Sequence, residues 1–241
     1  MKPVLTLAAL LGLVLLALGW RALHAGATAG VTAVALAADA QPAARFLALG
    51  DSYTIGEKVD SAERWPVQLT RLLRARGVIV LDPEIVATTG WTTDELAAGI
   101  RRAAPRGPYA MVTLLIGVNN QYRGRSAEEY GEQVRDLLAQ AIRFAAGEPR
   151  HVIVVSIPDW GVMPFAEGRD RAKIGREIDV FNAIGRAHAL AAGAAFVDIT
   201  PVSREAHDHW AAPDGLHPSG TQYARWAELV LDHALRVLGG R

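Results

Sequence analysis

From Ala127 to Ala146 the apolar residues Tyr130, Val134, Leu137, Leu138, Ala141 and Ile142 recur at steps of three and four, with Glu128, Glu129, Glu132, Arg135 and Asp136 between them. That period predicts a helix that lays one face on a larger apolar surface. Four further segments read as helices: Trp65 to Arg76, Thr93 to Ala103, Arg169 to Ala192 and Thr221 to Leu238. Between them lie short apolar and β-branched runs at Phe46 to Leu49, Val78 to Leu81 (extending at most to Val86), Met111 to Ile116, His151 to Ile157 and Ala195 to Ile199. The alternation predicts one α/β domain over residues 41–241, a three-layer α/β/α arrangement around a mainly parallel sheet of five strands. Sheets of this kind take their ligands in the loops that leave the C-terminal ends of the strands.

Residues 1–40 have a different pattern. Lys2 precedes an uncharged apolar run from Val4 to Trp20, with small-residue sites behind it at Ala25-Gly26-Ala27 and Ala38-Asp39-Ala40. This resembles a secretory signal peptide with an Ala-rich linker. The run is also close to the shortest that spans a bilayer, so an uncleaved N-terminal anchor is the alternative. Either way the expectation is an exported protein, periplasmic or secreted, that touches a membrane only through residues 4–20 if these are retained.

Charge and composition narrow the function classes. The 25 basic and 25 acidic side chains of the 241 residues cancel, and neither sign forms a block, which argues against nucleic acid or a polybasic lipid patch as the partner. The absence of cysteine excludes disulfides, thiolate zinc sites and a cysteine nucleophile. The chain has no G-x-S-x-G elbow and no phosphate-binding G-x-x-x-x-G-K or G-x-G-x-x-G loop.

The first strand runs into Gly50-Asp51-Ser52-Tyr53. A serine at such a turn is a nucleophile if a base reaches it, although Gly-Asp-Ser by itself is ordinary turn and N-cap chemistry. Near the other end, Pro213-Asp214-Gly215-Leu216-His217-Pro218 sets a carboxylate three residues before an imidazole. One tight turn would let Asp214 hold Nδ1-H of His217 and leave Nε2 free as a base; a plain Asx-turn beside a surface histidine is the other reading. Two more loops offer hydrogen-bond donors for an oxyanion, Thr89-Gly90-Trp91 and Gly117-Val118-Asn119-Asn120.

These four blocks, in this order, resemble the SGNH (GDSL-type) hydrolase superfamily: Ser52 in GDSY, Gly90 in TTGWTT, Asn119 in GVNN and His217 in DGLH, with Asp214 as the acid. The resemblance spans about Arg45 to the last helix. It implies a flavodoxin-like fold and acyl transfer at Ser52, with His217 and Asp214 completing a triad and the backbone N–H of Ser52, that of Gly90 and the Asn119 side chain forming an oxyanion hole. Two positions depart from the family pattern: Tyr53 stands where the family name has leucine, and Asn120 where the GxND block has aspartate.

The resemblance extends to Ser156–Phe165, where Trp160, Met163 and Phe165, with Trp91 and Tyr122, are candidates to line a substrate pocket or, equally, to pack on the last helix. His207, Asp208 and His209 suggest a metal, but adjacent residues of an extended segment point to opposite sides and no helical ligand pair accompanies them. No metal or cofactor is therefore expected, and a monomer is the default. The expected reaction is hydrolysis of carboxylic esters with small to medium acyl chains. A carbohydrate O-deacetylase or lysophospholipase is the alternative within the family, and an envelope- or carbohydrate-binding module on the same fold the non-enzymatic one.

Overall fold

A computed structural model describes residues 42–205 and 209–239. The N-terminal run and its small-residue sites, as well as His207 and Asp208, lie outside these residues. The helices and strands that set the frame, 3-10 turns aside, are in chain order β1 (Phe46–Gly50), α1 (Ser52–Ile55), α2 (Trp65–Ala75), β2 (Glu84–Ala87), α3 (Thr93–Ala103), β3 (Met111–Leu115), α4 (Val118–Tyr122), α5 (Ala127–Phe144), β4 (Val152–Val155), α6 (Arg171–Ala191), β5 (Ala195–Val197), α7 (Thr200–Ser203) and α8 (Gly220–Gly239).

The strands form one parallel sheet in the order β2-β1-β3-β4-β5. Every residue of β1, β3 and β4 is buried, as expected for strands covered on both faces. Helices α2 and α8 pack together and α8 lies on β3, β4 and β5, while α3, α5 and α6 form a second packed set. The helix ends obey local chemistry: Ser126 accepts the Glu129 N–H at the start of α5, and the Glu95 carboxylate accepts the Thr92 N–H at the start of α3.

The expected five-stranded parallel sheet is present, with one strand shifted. The run Val78 to Leu81, although richer in β-branched residues, makes only an isolated bridge between Val80 and Ala44, and the paired strand is Glu84–Ala87. Ile79 and Leu81 face solvent, and the Val80 carbonyl accepts from Arg74 Nε and Nη2 at 2.9 and 2.8 Å rather than from a neighbouring strand. Only one side chain of the run is fully buried, so its apolar composition reports a bridge and not a ladder.

β1 is the reversal point of the strand order: the chain passes from it to β2 on one side and later to β3 on the other. The register sets Gly50 beside Ala87 and beside Leu115, so the loops after β1, β2 and β3 leave the sheet abreast. Open α/β sheets bind ligands at such a crevice. Gly50 is tied to this arrangement, because a Cβ there would collide with the Thr54 hydroxyl and the Leu115 carbonyl.

Candidate active site

Asp51 caps α1 by accepting the Tyr53 N–H at 3.0 Å, which turns the chain directly into the helix and puts Ser52 in its first turn. Ser52 borders a cavity of about 170 Å³ whose wall also includes Gly90, Asn119 and His217. The Asp51 carboxyl is fully buried, and its second oxygen has no partner. Burial pushes its pKa up to about 7 against the opposing backbone hydrogen bonds.

Asp214 uses both oxygens. Oδ1 accepts the backbone N–H groups of Leu216 and His217, each at 3.0 Å, and Oδ2 lies 2.6 Å from His217 Nδ1. The Asx-turn and the oriented imidazole are thus one device: the turn bends the chain so that the carboxylate meets the ring. Partial burial raises the Asp214 pKa, but the bonds from His217 and the two amides outweigh it, leaving the carboxylate below its usual range. Nε2 is left for the cavity side. Among the described residues no hydrogen bond joins Ser52 Oγ to Nε2, a contact that commonly tightens only with substrate in place.

Three donors surround the same space. No protein acceptor among the described residues takes the backbone N–H of Ser52 or of Gly90. Asn119 Nδ2 spends one hydrogen on the Trp91 carbonyl at 2.9 Å and keeps the other. The loop that carries Gly90 is pinned from several sides: Arg123 Nη2 donates to the Gly90 carbonyl at 2.6 Å, Glu95 accepts from Arg123, and the Thr89 hydroxyl donates to Glu57 at 2.6 Å. Gly90 has φ +85°, where a side chain would be strained. Asn120 accepts the Thr93 N–H and donates to its hydroxyl, so the uncharged residue at that family position still ties α4 to α3.

Tyr122, Trp160 and Phe165 line the cavity; Trp91 and Met163 do not. Trp91 departs from the expectation because its ring lies against Gly99 of α3, where the missing Cβ leaves room, with the Arg102 guanidinium 5.9 Å from its centroid. Trp160 is held by a relay, Nε1 donating to Gln121 at 2.8 Å and Gln121 in turn to Glu177 at 2.7 Å. Its loop is fixed by Asn182, which bonds both the N–H and the carbonyl of Ile157, and by buried Asp159, whose Oδ2 meets Arg204 Nε at 2.9 Å.

Sequence reading missed Tyr53, Leu216, Thr89 and Val118 as cavity residues and Arg123 as a support. Tyr53 carried a signal, since it adjoins the serine; its ring stands edge-on to His217 with centroids 6.1 Å apart. Among the described residues no three acidic or histidine side chains converge as a metal-ligand set.

The description GDSL-like lipase/acylhydrolase family belongs to a family model that matches residues 48–225. Comparison with curated proteins gave no match. Among solved structures, TesA superposes with a TM-score of 0.64 at 18% identity, covering 80% of this chain and 99% of that one. An acetylxylan esterase from Geobacillus stearothermophilus gives 0.60 at 18% identity, covering 81% and 94%. A psychrotrophic esterase from Pseudoalteromonas sp., solved with monoethylphosphonate as inhibitor, gives 0.59 at 15% identity, covering 81% and 98%. At these identities the likeness is one of fold.

Proposed function

The chain belongs to the GDSL-like lipase/acylhydrolase family, and from that premise we propose that it hydrolyses carboxylic esters of small to medium acyl chains through an acyl-enzyme on Ser52. The observation that carries this reading is one cavity holding Ser52, the His217 ring clamped by Asp214 at 2.6 Å, and three donors with hydrogens to spare.

Ser52 Oγ attacks the ester carbonyl while His217 Nε2 takes its proton; Asp214 holds the Nδ1 proton and stabilises the imidazolium. The carbonyl oxygen, now negative, is met by the N–H groups of Ser52 and Gly90 and by Asn119 Nδ2. The proton passes from Nε2 to the departing alkoxide. Water then attacks the acyl-enzyme by the same route in reverse, with His217 as its base.

Two features support the acyl-chain range. The cavity of about 170 Å³ is smaller than the ~300–1,000 Å³ of pockets that engulf drug-sized ligands, and its wall is mostly apolar and aromatic. A second reading, deacetylation of a carbohydrate, is favoured by the exposed rings of Tyr122 and Phe165 at the cavity mouth, at 49% and 37% exposure, surfaces on which a sugar face can stack.

The test is labelling with an ethyl p-nitrophenyl alkylphosphonate and mass spectrometry of the product. The expected result is one adduct per chain, on Ser52 and absent from His217→Ala. A folded protein that takes no label would point to a binding module instead. Export belongs to the same proposal and rests on residues 1–40; fractionation of cells expressing the full chain should place it outside the cytoplasm.

A further inference from the structure

Among the described residues, several arginines near this cavity are held by carboxylates, and Arg169 is not. Arg123 is held by Glu95 and the Gly90 carbonyl, Arg125 by Asp94 and Glu129, and Arg204 by Asp159 and Asp179. Asp214 is committed to His217, Glu57 to Thr89 and Lys58, and Asp170 to the Lys173 N–H at the start of α6. Arg169 has no carboxylate partner among the described residues. Its guanidinium stands instead over three aromatic rings that line the cavity, 4.8 Å from the Phe165 centroid, 5.5 Å from Trp160 and 5.8 Å from Tyr122.

A guanidinium resting on aromatic rings keeps its charge, and the N–H donors along its edge stay available for the bidentate bond that a carboxylate or phosphate accepts. The rings hold it in place, so less freedom is lost when an anion arrives.

We propose that Arg169 is a specificity-determining residue that selects esters bearing an anionic group, carboxylate or phosphate, beyond the aromatic mouth of the cavity. This rests on the ester-hydrolase reading of the site. The ester bond sits at Ser52, the adjoining part of the substrate crosses the rings of Tyr122, Trp160 and Phe165, and its anion meets the guanidinium. No charge is needed at the reacting carbonyl itself, where the wall is neutral apart from the triad.

The experiment compares kcat/KM for matched pairs. On the acyl side, mono-p-nitrophenyl glutarate is set against its methyl ester; on the alcohol side, 4-acetoxybenzoate against methyl 4-acetoxybenzoate. The wild type should favour the charged member of one pair by roughly tenfold, the scale of one charge-assisted hydrogen bond at a partly exposed site. The preference should weaken with salt, vanish in Arg169→Gln and invert in Arg169→Glu. Which pair responds tells which end of the substrate passes the rings. A ratio near one in both pairs, or a preference that survives Arg169→Gln, overturns the proposal while leaving ester hydrolysis intact.

A second measurement does not depend on turnover. Calorimetric titration of Ser52→Ala with the amide analogues, glutaric acid monoanilide against butyranilide and 4-acetamidobenzoate against 4-acetamidobenzamide, should show the same preference and the same loss in the Ser52→Ala, Arg169→Gln double variant. Preferential binding of the anions without any ester cleavage would uphold the subsite and overturn the hydrolase reading; equal binding of charged and neutral analogues would overturn the subsite.

Discussion

Asp214 faces the backbone with one oxygen and the imidazole with the other, and that division explains why an Asp-x-x-His string was readable: both interactions close within four residues. Asn119 is similar in kind, with one hydrogen of its amide fixed on the Trp91 carbonyl so that the other keeps a direction. Asn119→Ala should lower kcat by about 10² to 10³ with KM changed little, measured by steady-state kinetics. Asp51 gives a prediction in stability. Its folded pKa is raised to about 7 by burial, so between the ordinary carboxylate range and about 7 the folded state holds a proton that the unfolded state has released, and stability falls as pH rises. Asp51→Asn removes that dependence: its melting temperature relative to wild type should climb from pH 4 to pH 7, and a constant difference would argue against the burial effect. Tyr53 was legible in its position beside Ser52 but not in its contact, because the His217 ring it meets lies far along the chain; Arg169 was not legible, because its role depends on Tyr122 joining the nearby Trp160 and Phe165.

At the scale of elements, the long helices and the inner strands were legible from periodicity and from continuous apolar runs. The edge was not: Val78 to Leu81 outranks Glu84–Ala87 in β-branched content, yet its Val80 carbonyl is taken by Arg74 and the ladder forms after Pro83. The short helices α1 and α4, too brief for a period, escaped as well, and both carry site residues. Two supports for the loops around the cavity lie far away in sequence. Arg123 reaches back from the end of α4 to the Gly90 carbonyl, and Arg123→Gln should reduce kcat about tenfold through the direction of the Gly90 N–H while leaving KM close to wild type. Arg204 neutralises buried Asp159 at the root of the Trp160 loop. Arg204→Met should cost about 2 kcal/mol in denaturant unfolding, the loss of a charged hydrogen bond at a partly exposed partner.

For the molecule as a whole, the strand order β2-β1-β3-β4-β5 turns at β1, so the loops bearing Ser52, Gly90 and Asn119 meet because the chain reverses direction across the sheet there, and α8 comes directly after the loop that brings His217 to them. The sequence order of the four blocks carries this topology implicitly; the size of the space they enclose is visible only once the loops are packed. A cavity of about 170 Å³ predicts that turnover is higher on butyrate than on octanoate esters. The measurement that reaches the central claim most directly is hydrolysis of p-nitrophenyl acetate, butyrate and octanoate by residues 41–241, with Ser52→Ala and His217→Ala alongside and circular dichroism to verify folding. Turnover by the wild type and its near-complete loss in both folded variants is the predicted result. Turnover that persists in folded Ser52→Ala would contradict the account, since the proposed mechanism carries the acyl group on Ser52.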